Sequence, residues 1–126
     1  RNTNLFCTSL AAILPADVTD HAQALEAIRS AFKALRYEFS RHAVLRMLGR
    51  DIATHEIEDA VETGEIIEAY PTDKYGPSYL LFGRARGGRP LHVQVAISRM
   101  RVVTVYEPDP REWIEFRERR SPGETW

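Results

Sequence analysis

Hydrophobic positions change their spacing about halfway along the chain. Leu25, Ile28, Phe32 and Leu35 recur at helical intervals, and Asp20 with Gln23 three residues later reads as a capping box. This predicts a helix from Asp20 to about Arg36. A short extended piece, Tyr37–Phe39, follows. Ser40 is a good N-cap for a second helix ending at Gly49, and Thr54 for a third ending at Gly64. On the wheel of the second helix Val44, Leu45 and Leu48 cluster, with His42, Arg46 and Arg50 roughly opposite.

After Gly64 the period falls to two. Glu65–Tyr70, Tyr79–Ala85, Leu91–Ile97 and Val102–Tyr106 read as strands, and the Gly-Gly of RGGR marks a tight hairpin. In EPDPREW, Asp109 as N-cap, Pro110 and Glu112 predict a short terminal helix carrying Trp113 and Phe116 on one face. Helices followed by strands predict an α+β fold: N-terminal helices packed on a mostly antiparallel four-stranded sheet, with a short C-terminal helix. The domain plan is an extension over 1–19, one domain over 20–120 and a loose tail over 121–126.

Strand alternation also sorts candidate chemistry. Leu91, Val93, Val95 and Ile97 point one way, and His92, Gln94 and Ala96 the other. Val103 and Val105 share a face; Thr104 and Tyr106 take the opposite one with Val102. If the strands are neighbours, the valines face the helices, and His92, Gln94, Thr104 and Tyr106 collect on the other side. The bland alternative is a solvated sheet face. His42 and Arg46, four apart, share a helix edge; their bland alternative is an exposed basic stripe.

A chain of 126 residues suggests one domain with a modest core. The run Leu5–Leu14 is too short to span a bilayer, and no membrane association is expected. One cysteine, Cys7, excludes an internal disulfide framework and fits a reducing, cytoplasmic setting. The net charge of −1 hides a division. Eight acids and no Lys or Arg lie between Asp51 and Asp73, whereas five arginines and no acid lie between Arg84 and Arg101. A basic face is therefore available to a polyanion. His42, His55 and His92 lack metal-ligand spacing, and no glycine-rich phosphate loop is present, so neither metal nor cofactor is expected.

The combination HAVLRM at 42–47, GPSYLLFG at 76–83, PLHV at 90–93 and VTVYEPDPREW at 103–113 resembles the uncharacterised-domain family DUF 4258, over about residues 37–117. Asp51 departs from the Gly often found there, which bears on the loop between the second and third helices. The family looks similar to bacterial toxins of the RelE and MqsR type. The resemblance implies a toxin of a toxin–antitoxin pair, a metal-independent endoribonuclease cutting mRNA by 2′-hydroxyl transesterification. Its implied partners are mRNA or the ribosome and an MqsA-like zinc-finger or helix-turn-helix antitoxin. It implies a site drawn from His42, Arg46, His92, Gln94, Thr104 and Tyr106, with Lys74, Arg84, Arg86 and Arg89 contacting flanking phosphates. Two alternatives stand beside it: a non-catalytic RNA- or protein-binding module using the same face, and a regulatory protein working through its acidic helix.

Overall fold

The computed structural model describes residues 16–74 and 76–121. Residues 1–15 of the expected N-terminal extension and the last five residues of the tail lie outside them, whereas residues 16–19 of that extension belong to the first helix. Three helices, α1 (Ala16–Lys33), α2 (Arg41–Arg50) and α3 (Thr54–Thr63), pack on one face of a sheet. Its strands are β1 (Glu38–Phe39), β2 (Glu65–Tyr70), β3 (Ser78–Arg84), β4 (Pro90–Ala96) and β5 (Arg101–Tyr106), in the order β1-β5-β4-β3-β2. The fold is therefore α+β as expected, but the sheet has five strands and is mixed. β2 to β5 form an antiparallel meander, and β1 pairs with β5 in parallel. The short extended piece before α2 is that fifth strand. It pairs because Glu38 and Ser40 donate their N–H groups to the carbonyls of Met100 and Val102.

The core lies between helices and sheet. Ile28 and Phe32 of α1, Ala43 of α2, and Ile57, Ala60 and Val61 of α3 meet Leu81, Leu91, Val93, Val95, Val102 and Val105. One expected position is different. Val102, not Val103, joins Val105 in this core. A bulge explains it: Gln94 pairs with Thr104 but Val95 with Val102, so one extra residue on β5 shifts the alternation.

Leu35 also departs from its helical reading. α1 stops at Lys33, and Leu35 turns left-handed and lies exposed. α2 is capped by Ser40, whose hydroxyl accepts from Ala43 N–H at 3.0 Å. It ends at Asp51 rather than Gly49, with Asp51 at φ 55°. Asp is among the few residues other than glycine that tolerate this left-handed position. Gly64 ends α3 for a steric reason: a Cβ there would lie 2.5 Å from the Ala60 carbonyl oxygen and 2.9 Å from that of Phe82.

The expected C-terminal helix does not form. Asp109 starts a single turn, accepting N–H groups from Arg111, Glu112 and Trp113. The chain then makes a small hairpin, β6 (Trp113–Ile114) and β7 (Glu118–Arg119), reversing at Glu115 and Phe116, both left-handed. The hairpin lets Trp113 and Phe116 reach the sheet's outer face together, next to Phe82 and His92.

Candidate functional site

The register places one set of side chains on the outer face. Phe82, His92 and Tyr106 lie in one cross-strand row, and Leu80, Gln94 and Thr104 in the next. The expected grouping of His92, Gln94, Thr104 and Tyr106 is thus present. The expected solvent access at His92 is not. His92 is 0% exposed, because the β6–β7 hairpin lies over it. Trp113 meets its ring edge-on at 4.4 Å.

Both His92 nitrogens are engaged. Nε2 lies 2.6 Å from the Phe116 carbonyl oxygen, which can only accept, so Nε2 carries the proton. Nδ1, 3.2 Å from the Tyr106 hydroxyl, then accepts from it. Burial pushes the His92 pKa down, opposed in part by the Phe116 bond, so the ring is neutral. Burial likewise pushes the Tyr106 phenol up. This is the geometry of a structural histidine, with no ring atom left for a substrate.

Gln94 is also occupied. Its amide donates to Asp73 Oδ2 at 3.2 Å and Ser78 Oγ at 3.0 Å, and Ser78 donates to the same carboxylate at 2.8 Å. Together they pin the turn after β2. Thr104 is half-buried beside Gln94. On β2, beside Leu80, Glu68 holds Arg119 at 2.9 Å and accepts the Tyr70 hydroxyl, while Arg117 reaches Glu65, beside Phe82, at 3.0 Å. Arg119 stands over Trp113, and Arg117 over Phe82. The reading of the sequence missed these hairpin groups. The signal for them was the pair of aromatic side chains followed by a pair of arginines within the seven residues WIEFRER.

His42 and Arg46 sit elsewhere. α2 packs on the helix side of β5, so His42 and His92 belong to opposite faces of the sheet, and the fold does not bring them to one phosphate. His42 is exposed and Arg46 half-buried; Arg46 Nε donates to His42 Nε2 at 3.3 Å. They line an open concavity of about 210 Å³ with Leu45, Gly49 and Arg50. Of the two candidates for an exposed site, this edge is the one with a titratable ring open to solvent.

The four candidate phosphate contacts have different fates. Lys74 is exposed in the β2–β3 loop, and the Arg86 guanidinium lies 3.8 Å from Asp59. Arg84 donates to the Gly88 carbonyl and covers the Phe82 and Phe116 rings. Arg89 is an internal clamp. It donates to the Arg50 and Asp51 carbonyls, both at 2.9 Å, and to Glu56 and Glu107. Those carbonyls end α2, so Arg89 satisfies groups a helix terminus leaves open.

No group of three or more His, Cys, Asp or Glu side chains able to hold a metal ion occurs among the described residues. Among the same residues no helix is long and apolar enough to cross a membrane. No curated protein and no solved structure matches the chain. A family described as Domain of unknown function (DUF4258) matches residues 39–107. The matched stretch runs from β1 to just past β5. It takes in His42, Arg46, His92 and Tyr106 but stops short of the hairpin over His92. The match spans more than half of the 126 residues, and the chain belongs to the DUF4258 family.

Proposed function

We propose that the domain is a metal-independent endoribonuclease of the RelE/MqsR-like toxin kind, working in the cytoplasm on mRNA, free or on the ribosome. Its reacting edge is the His42–Arg46 edge of α2, not the covered outer face. The observation that carries this reading is the solvent-exposed imidazole with an arginine donating to it, on a helix that contains no acid.

RNA brings its own nucleophile. An arriving phosphodiester draws the Arg46 guanidinium off His42 Nε2, because a guanidinium–phosphate pair is charge-assisted and can be bidentate. The freed Nε2 lone pair takes the proton of the 2′-hydroxyl. The 2′-oxygen bonds to phosphorus, Arg46 holds the charge on the non-bridging oxygens, and the bond to the 5′-oxygen breaks. That oxygen takes a proton from solvent at this open edge. The products are a 2′,3′-cyclic phosphate and a 5′-hydroxyl. In this reading Lys74, Arg84 and Arg86 contact flanking phosphates of the bound RNA, while Arg89 holds α2 in place. A toxin of this kind would have an MqsA-like zinc-finger or helix-turn-helix antitoxin as its partner.

The test is cleavage of single-stranded RNA in excess EDTA, with end-group analysis. Cyclic phosphate ends are expected. His42→Ala and Arg46→Ala should each slow cleavage by about a hundredfold or more, with unchanged urea melts. Activity persisting in both variants would overturn the assignment. A second reading, an RNA-binding module without catalysis, is favoured by the locked state of His92, which leaves one titratable group at the edge instead of an acid–base pair. Arginine-dependent RNA binding with no cleavage would select it.

A further inference from the structure

We propose that the outward face of α2 is a docking surface for an acidic-flanked amphipathic helix of a partner protein. The described residues include four large exposed hydrophobic side chains, and three of them lie on this one ten-residue helix: Val44 at 41%, Leu45 at 59% and Leu48 at 76% exposure. The inward side of α2 is made by Ala43, which is fully buried, and Met47, which packs against the core. The helix thus turns its larger aliphatic cluster to solvent and its smaller one to the sheet, the reverse of what burial alone would select. Solitary exposed leucines are ordinary, but a contiguous aliphatic stripe on one short helix marks an interaction surface.

Spacing gives the stripe its shape. Val44, Leu45 and Leu48 fall on adjacent turns, and Arg41, one turn earlier, continues the same line. His42 flanks Leu45. The sequence RHAVLRMLGR holds three arginines, one histidine and no acid. The nearest acid, Asp51, is the left-handed C-cap. A second copy of the chain is therefore a poor occupant, since pairing two such helices would set arginines against arginines. A helix with a leucine stripe between rows of Glu or Asp meets both the apolar and the charged parts.

Leu45 lines this stripe and also the concavity containing His42 and Arg46. An occupant would therefore crowd the edge assigned to RNA. That consequence rests on the proposed function; the docking itself does not, and its test contains no RNA.

The probes are two designed three-heptad peptides with the same leucine stripe, one flanked by Glu and one by Lys, titrated into the full chain by fluorescence anisotropy. The Glu peptide should bind with Kd of about 10–100 μM at low salt, and the Lys peptide about tenfold more weakly or worse. High salt should weaken the Glu peptide. Leu48→Glu should cut its affinity by about tenfold or more with an unchanged urea melt, because this side chain is largely in solvent. Leu45→Ala should weaken it without adding charge. No binding of the Glu peptide, equal binding of the two peptides, or indifference to both substitutions overturns the proposal. So does a concentration-dependent dimer in sedimentation that Leu48→Glu dissolves, since the occupant would then be a second copy.

Discussion

Replacing His92 by alanine separates a structural histidine from a catalytic one. The ring makes two hydrogen bonds, to the Phe116 carbonyl and the Tyr106 hydroxyl, each worth about 0.5–1.5 kcal/mol net. It also meets Trp113 at 4.4 Å and Tyr106 at 5.3 Å, ring pairs worth about 0.5–1.5 kcal/mol each. His92→Ala should then cost about 2–6 kcal/mol, a large share of the roughly 5–15 kcal/mol that holds a domain folded. Urea unfolding followed by far-UV circular dichroism measures this directly.

Protonation gives an independent reading of the same residue. The folded pKa of His92 lies below its unfolded value, so the unfolded chain binds the proton more readily. Stability from the neutral ring is complete above the unfolded pKa, about 6.5, and is lost as pH falls through that value toward the lower folded one. The loss approaches about 1.4 kcal/mol per pH unit for the single proton. The slope between about pH 7 and 5.5 should flatten in His92→Gln, which cannot titrate. A cost below about 1 kcal/mol, or a slope the same in wild type and His92→Gln, would refute the locked-ring account and return His92 to the list of possible catalysts.

Other positions test the frame around the site. Gly83→Ala should destabilise by about 3 kcal/mol or more in the same melts, since its Cβ would lie 1.9 Å from the Ala60 carbonyl oxygen, a backbone atom that cannot move aside cheaply. A melt within about 0.5 kcal/mol of wild type would show that α3 can shift away from β3. Arg89→Ala should cost about 1–3 kcal/mol by removing the fork across the end of α2, and Arg89→Lys should recover little, because an ammonium cannot span carbonyls and carboxylates at once. Full recovery by lysine would mean that charge alone holds the helix end.

Much of the architecture was readable from local chemistry. Ser40 as a cap, Gly64 as a helix end, the Gly-Gly hairpin and the β2 to β5 strands all depend on neighbours a few residues apart, and period-two alternation alone puts His92, Gln94, Thr104 and Tyr106 on one face. What failed depended on contacts distant in the chain. The bulge that exchanges Val103 for Val102 is set by pairing with β4. The C-terminal segment carries sound helix-capping residues, yet Trp113 and Phe116 gain more by covering Phe82 and His92, over which a hairpin can lay both. That cover turned an expected catalytic histidine into a buried one. The orientation of α2 was equally invisible to its wheel. The larger aliphatic cluster should face inward, but the room between α2 and β5 accepts Ala43 and Met47 and leaves Val44, Leu45 and Leu48 outside. Residue types and spacing determined which groups could share a face; only the packing of hairpin and helix against the sheet decided which of those groups meet water.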